Sequence, residues 1–325
     1  MRSPPPPLLP HLTLAQAPLT CEIDAVNEYG EHQKIAIPAE RSLTVYVDKR
    51  ELVTLMTLGA HPEWLVLGYL RNQRLVRSVH DIESITVDWE VGAAAVKTRH
   101  GIEDIEEKTA RRVVTTGCGQ GSVFGGLMDE VDQIELPADA HITQGQLYEL
   151  VNTIRLKETT YKSAGSVHAC ALFQVADERA GMLLFVEDVG RHNAIDTIAG
   201  WMWMQDVTPT LPTSCGSLPP EGALRLRPGE AGSAAPAGEE GAGLVFYTTG
   251  RLTSEMVIKS AQMGVPIVVS RSGITQMGHQ VAQSVGLCAI GRATNKRFVC
   301  YATPQRLHLQ PDLAGPNLRT PVAES

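Results

Sequence analysis

The sequence predicts an α/β protein, a mostly parallel sheet covered by helices, with a smaller α+β unit at its N-terminal end. Three observations carry that expectation. From Cys170 onward, apolar runs alternate with segments of helical spacing, as in sheets whose strands are linked through helices. Those runs (CALFQVA, MLLFVEDV, GLVFYTT, PIVVS, LCAIGRA) are largely apolar along their length, which is how strands covered on both faces read. Before residue 110 the strands instead alternate apolar and polar residues, as half-buried strands do.

The elements follow in order. Residues 1–20, MRSPPPPLLPHLTLAQAPLT, read as a disordered leader, because the prolines interrupt any apolar segment before it reaches signal-peptide length. In the α+β unit, 21–110, SLTVYVDKREL reads as a strand or hairpin. HPEWLVLGYLRNQRLV has helical spacing behind a proline near a helix start, and SITVDWEVGAAAVKT reads as two strands joined at a turn. A mobile cysteine loop, 111–135, follows. The α/β unit, 136–310, opens with a helix in which Thr143 and Gln146 have capping-box spacing. CALFQVA and MLLFVEDV look like paired strands. HNAIDTIAGWMWM, SEMVIKSAQM (closed by Gly264) and TQMGHQVAQSV are helices between the later strands. Residues 205–243, rich in Pro, Gly, Ala and Ser, read as a flexible insertion, since they cannot bury enough apolar area to offset ordering entropy. Residues 311–325 are a tail.

With 325 residues, 43% of them hydrophobic, the chain can bury a sizeable core. A net charge of -8 argues against a general nucleic-acid or membrane-surface binder, which needs a basic excess. No apolar run approaches the length that spans a bilayer, so a soluble, cytoplasmic protein is expected. The six cysteines (21, 118, 170, 215, 288 and 300) contain no C-x-x-C pair, which favours reduced thiols in a reducing compartment.

Three clusters could carry chemistry. In TTGCGQGSVFGG, Cys118 sits among glycines at 117, 119, 121, 125 and 126, with Lys108, Arg111 and Arg112 upstream. Nearby cations favour the thiolate, and glycines allow the loop to fold back or reach outward. The pattern leaves open a mobile nucleophilic arm or a glycine turn beside a solvated basic face. In EDVGRHNAID, Asp188, Arg191, His192 and Asn193 lie where an apolar strand gives way to a helix, the place where open α/β sheets bind ligands and helix N–H groups favour anions. The alternative is that Asp188 or Asn193 caps the helix while Arg191 pairs with a surface carboxylate. TTGRLTSEM repeats the strand-to-helix geometry, SRSGITQMG echoes it, and GRATNKR follows the last such strand. If those strands are parallel neighbours, Arg251, Arg271, Arg292, Lys296 and Arg297 gather at one edge as a pocket for phosphates. His168 and Cys170 could pair on a metal, but nothing else has metal-ligand spacing, so no metal site is assigned.

EDVGRHNAID, then TTGR-x-x-x-EM-x-x-K-x-A-x-x-G-x-P-I-V-V-S, the glycine-flanked Cys118 and the basic GRATNKRFVCY together resemble the formate dehydrogenase accessory sulfurtransferase family (FdhD). SAGSVHACA is similar to that family's glycine-glycine-valine-histidine strand. The likeness spans Asn27 to Tyr301 apart from the insertion. It implies a cytoplasmic homodimer whose core is similar in fold to cytidine deaminases without their zinc site, as the missing H-x-E and P-C-x-x-C ligands also argue. It further implies that a cysteine desulfurase delivers sulfur to Cys118 as a persulfide. From there the sulfur passes to a molybdenum or tungsten bis-molybdopterin guanine dinucleotide destined for formate dehydrogenase, and GDP-like ligands occupy the same site. The resemblance implies that Arg292, Ala293, Thr294, Asn295, Lys296 and Arg297 line that cofactor site, and Asp188, Arg191, His192, Asn193 and Arg251 complete the expected pocket. The family loop usually reads C-x-x-C; here its second position is Gly121. A cofactor-binding chaperone that transfers no sulfur is the other reading.

Overall fold

The computed structural model describes residues 8–102, 105, 131–157, 159–176, 179–207 and 243–314. The Cys118 loop and nearly all of the 205–243 insertion lie outside the described residues.

The N-terminal part is a five-stranded sheet of order β1-β6-β7-β4-β5. Strands β4 (Arg41–Val47) and β5 (Arg50–Thr57) form the hairpin that SLTVYVDKREL suggests. The two residues between them, Asp48 and Lys49, have φ of +47° and +72°, the pair of left-handed residues that matches a tight turn to strand twist. Strands β6 (Ile82–Asp88) and β7 (Ala93–Thr98) are the pair expected from SITVDWEVGAAAVKT. Helix α1 (Pro62–Asn72) begins at the anticipated proline and covers the sheet through Leu65, Val66, Leu67 and Leu70. A separate hairpin, β2 (Thr20–Val26) with β3 (His32–Pro38), makes a two-stranded sheet of its own.

The leader is not disordered from residue 8 onward. Strand β1 (His11–Leu12) runs parallel to β6, and the buried Glu63 carboxylate accepts from Thr13 Oγ1 and the Ala15 amide, each at 2.7 Å. Prolines at 10 and 18 leave room for only a short strand, which sits at the sheet edge, where few amides are needed.

The larger sheet has order β10-β9-β11-β12-β13-β14. Its members are β9 (His168–Ala176), β10 (Arg179–Asp188), β11 (Gly243–Thr248), β12 (Ile267–Ser270), β13 (Cys288–Thr294) and β14 (Arg297–Ala302). Only β11, β12 and β13 are parallel to one another; the β9–β10, β9–β11 and β13–β14 pairs are antiparallel. The sheet is therefore mixed, not mostly parallel. Apolar runs report burial on both faces and carry no information about strand direction, and hairpin connections at both ends of the sheet reverse it.

Helices α4 (Arg191–Met204), α5 (Ser254–Gln262) and α6 (Gln276–Ser284) pack on one face of this sheet around Leu172, Phe246 and Val268. Helix α2 (Gln144–Lys157), preceded by the two-residue strand β8 (Ile142–Thr143), covers the other face, and the short α3 (Thr159–Ala164) leads into β9. The α2 capping box forms as its spacing suggests: Gln146 Oε1 accepts from the Thr143 amide at 2.8 Å, and Thr143 Oγ1 from the Gln146 amide at 3.2 Å. Gly264, at φ +76°, ends α5.

The two sheets are joined helix to helix. A Cβ placed on Gly68 of α1 would lie 1.6 Å from the Asp196 carbonyl oxygen, and one on Gly200 of α4 would lie 2.0 Å from the Trp64 carbonyl oxygen. The backbones touch, and only glycine at both positions permits it. Among the described residues no helix is long and apolar enough to cross a membrane.

Candidate functional site

Strand register brings the motifs to one edge of the larger sheet. Asp188 at the end of β10 pairs with His168 at the start of β9, Thr248 pairs with Cys170, and Thr248 also pairs with Ser270. The loops that follow are stitched together. Ser270 Oγ donates to the Gly250 carbonyl at 2.7 Å, Ser272 Oγ to the Thr249 carbonyl at 3.0 Å, and the Arg292 amide to the Ser272 carbonyl at 2.7 Å. Arg251, Arg271 and Arg292 thus leave adjacent parallel strands on the same side, and all three are exposed.

The EDVGRHNAID motif divides into two jobs. Glu187 accepts from the Thr160 and Tyr161 amides, holding the start of α3 to the end of β10. Asp188, 3% exposed, accepts from Thr57 Oγ1 and the Leu58 amide of the N-terminal unit, and from the Gly190 amide and Asn193 Nδ2 at the start of α4. Burial raises the Asp188 carboxyl above its ordinary value, and these four donors oppose the rise. Asn193 also donates to the Met56 carbonyl at 2.6 Å. Asp188 and Asn193 therefore form a knot at the joint between the two sheets.

Arg191 and His192 point differently. Arg191, also buried, passes over Gly250, where a Cβ would lie 2.5 Å from its Cδ. Its charge reaches the half-buried His168: burial first, then Arg191 and Arg251, hold that imidazole below its usual range. His168 Nδ1 lies 3.5 Å from Thr249 Oγ1. His192 faces inward, with Nε2 3.3 Å from Glu255 Oε2. Burial drives its pKa down to about 3 against the pull of Glu255, with Lys259, Arg191 and His168 adding to the fall, so the ring is neutral at physiological pH. Beyond it runs a buried polar strip. Lys259 Nζ sits 3.5 Å from Glu255 and 2.9 Å from Asp196, and Asn72 of α1 donates to Asp196 at 2.7 Å. Burial raises the Asp196 carboxyl, opposed chiefly by Lys259.

The GRATNKR segment is the tip of the β13–β14 hairpin. Arg292, Thr294, Asn295, Lys296 and Arg297 are exposed, whereas Ala293 is buried beneath them. Arg292 and Asn295 both have φ of +51°, which turns the chain sharply here. Tyr148 of α2 ties the tip down by donating to the Lys296 carbonyl at 3.2 Å. Cys170 is fully buried and donates to Thr248 Oγ1; burial pushes its thiol up to about 12. The described residues contain no group of three or more His, Cys, Asp or Glu arranged for a metal.

Sequence reasoning missed Thr57, Asn72, Glu255 and Lys259. For Glu255 and Lys259 the available signal was their spacing of four within SEMVIKSAQM, which makes an ion pair, with the apolar Met256, Val257 and Ile258 between them.

The protein is thus a mixed α/β fold whose central parallel strands present exposed arginines at one edge, above a buried arginine at a helix start. The chain belongs to the FdhD/NarQ family, whose model matches residues 38–213 and 231–308. It is 28% identical over 289 residues to the sulfur carrier protein FdhD of Bacillus subtilis, covering 86% of this chain and 94% of that one. It is also 26% identical over 294 residues to the protein of the same name from Bacillus pumilus, covering 89% and 92%. The fold is shared with a solved structure from Desulfotalea psychrophila described as a formate dehydrogenase accessory protein, at a TM-score of 0.62 and 19% identity over 89% of this chain and all of that one.

Proposed function

We propose that the chain carries sulfur on Cys118 as a persulfide, taking it from a cysteine desulfurase and passing it to a molybdenum or tungsten bis-molybdopterin guanine dinucleotide for use by formate dehydrogenase. The observation that carries the reading is the stitched edge of Arg251, Arg271 and Arg292 beside Arg191 and the Lys296–Arg297 tip, in a chain of net charge -8. Several phosphates on one ligand suit several cations fixed on separate loops, because each charge-assisted contact adds to the others. The relatives' shared name, sulfur carrier protein, supports the transfer itself.

In this reading the Cys118 thiolate attacks the terminal sulfur of the donor's persulfide. A new S–S bond forms on Cys118 as the donor's breaks, and the donor leaves as a thiol. Lys108, Arg111 and Arg112 favour the thiolate. The acceptor is substrate, held at its phosphates by Arg251, Arg292, Lys296 and Arg297, with Arg191 supplying charge from below. Asp188 and Asn193 shape the loop that carries Arg191, and His192 supports it from the inside. The same reading places the protein in the cytoplasm as a homodimer.

Intact-mass spectrometry after incubation with a cysteine desulfurase and cysteine tests it. One added sulfur is expected on the wild type and none on Cys118→Ala, which should also fail to activate formate dehydrogenase while remaining folded. Gly121, in place of a second loop thiol, motivates the rival cofactor chaperone. Full activation by Cys118→Ala, with guanine-nucleotide binding retained, would establish that rival instead.

A further inference from the structure

A pair of thiols lies toward the end of β13 that faces away from the arginine loops. Cys288 opens β13, opposite Ile267 at the start of β12, and Cys300 lies on β14 opposite Ile290. Side chains two apart on a strand share a face, so Cys300 is the diagonal neighbour of Cys288 across the antiparallel pair. A register irregularity between Ala289 and Ile290 falls between them. Their sulfurs stand 3.9 Å apart as free thiols. Four residue steps of strand lead from Cys288 to Arg292, about 13 Å at the usual rise, so this is not part of the cation edge.

The two thiols are unequal. Cys288 is fully buried, whereas Cys300 is half-buried and can be reached from solvent. Either sulfur can donate in this contact, and Cys300 Sγ also donates to the Ala302 carbonyl at 3.4 Å; the contact holds the Cys300 thiol below its usual range, while the same contact and burial push the Cys288 thiol up. Arg306 adds positive charge beside Cys288, fixed by hydrogen bonds to the Gly286, Pro137 and Ala140 carbonyls. An accessible low-pKa sulfur, a buried partner within van der Waals reach and a flanking cation are the parts of a reactive dithiol.

We propose that Cys300 and Cys288 form a redox-active dithiol whose substrate is the S–S bond of a small disulfide. The Cys300 thiolate attacks one sulfur of the disulfide, forming a mixed disulfide and expelling the first small thiolate, which takes a proton. Cys288 then loses its proton and attacks Cys300 Sγ. The Cys288–Cys300 disulfide forms as the mixed disulfide breaks, and the second small thiol leaves. The two protein thiols are oxidised and the small disulfide is reduced to two thiols. The site is independent of sulfur carriage at Cys118.

Oxidised glutathione is the probe, followed by alkylation of the remaining thiols and tryptic peptide mapping of the folded full-length chain. Arg292, Lys296 and Arg297 lie between the two cysteines, so trypsin separates them and the disulfide appears as a cross-linked peptide pair. The expected result in the wild type is that pair, with no glutathione left on Cys300. Cys288→Ser should stop at a stable glutathione adduct on Cys300, and Cys300→Ser should give neither adduct nor cross-link at this site. Glutathione persisting on Cys300 of the wild type without a cross-link overturns the proposal, as does the absence of reaction at both cysteines while the exposed Cys21 is modified. The wild-type map decides even if a serine variant fails to fold.

Discussion

Two charged regions meet at the start of α4 and obey different rules. The inner one, His192–Glu255–Lys259–Asp196, is closed: every member is at most 4% exposed, and each charge answers to another. The outer one, Arg251, Arg292, Lys296 and Arg297, is exposed, and no ion pair found among the described residues involves it. Buried charges are held to one geometry because an unpaired one is costly, whereas exposed cations keep their solvation and remain free to meet an anion. The inner region is architecture, to which EDVGRHNAID supplies His192 and Asp196, and the outer one is left to solvent.

Removing the inner cation should break that contrast most visibly. Lys259→Met leaves Asp196 and Glu255 buried without their counter-charge and should cost about 3–5 kcal/mol in urea unfolding. Arg251→Met, by comparison, should change stability by less than about 0.5 kcal/mol. Equal effects would mean that the inner strip is not what holds α4 to α5.

Next in size is the joint. Gly200→Ala must push α4 away from Trp64, because the added carbon has backbone rather than a flexible side chain in its path. Overpacking of this kind costs about 1–3 kcal/mol, outweighing the helix propensity gained by alanine. Thermal unfolding should register it, and a more stable variant would show that the two helices can part freely.

At the outer region the sign reverses, with binding lost and stability kept. Arg251→Ala and Arg292→Ala should each weaken GDP binding about tenfold in calorimetry, the order expected for one charge-assisted contact, with unfolding midpoints unchanged. Unchanged affinity in both would mean that these arginines hold no nucleotide, against the proposed function.

Much of this was legible in the residues, and what was not has a physical cause. The β4–β5 and β6–β7 pairs, α1 behind Pro62 and the Thr143–Gln146 box are local: turn chemistry and caps fix them within a few positions. The convergence of Arg251, Arg271 and Arg292 could be anticipated because each lies near the end of a strand in the stretch where strand and helix alternate. Strand direction at the ends of the sheet could not be read from apolarity, which is the same in either direction when both faces are covered. The roles of Asp188 and Asn193 depended on Met56, Thr57 and Leu58, more than 120 residues away in sequence. No local pattern announces such partners. Glycines at 68 and 200 likewise read as helix-weakening until each is seen to be the other's clearance.

The smallest effect concerns His192, which sits on the boundary between the two regions. Its folded pKa is depressed to about 3 from an ordinary value of 6.5, chiefly by burial. Above 6.5 the ring is neutral in both folded and unfolded chains and does not bias folding. As the pH falls from 6.5 toward 3, the unfolded chain takes up a proton that the folded chain refuses, so stability declines with a limiting slope of about 1.4 kcal/mol per pH unit. The raised carboxyls of Asp188 and Asp196 act in the opposite sense, since the folded chain there holds protons more tightly than the unfolded one. Comparing wild type with His192→Gln cancels their contribution, because both chains carry them. Between pH 6.5 and 5.5 the wild type should lose about 0.5–1 kcal/mol more than His192→Gln in urea unfolding. Parallel pH profiles would mean that His192 accepts a proton in the folded chain, with Glu255 as its counter-ion. The imidazole would then belong with the cations of the outer edge and not with the closed strip behind it.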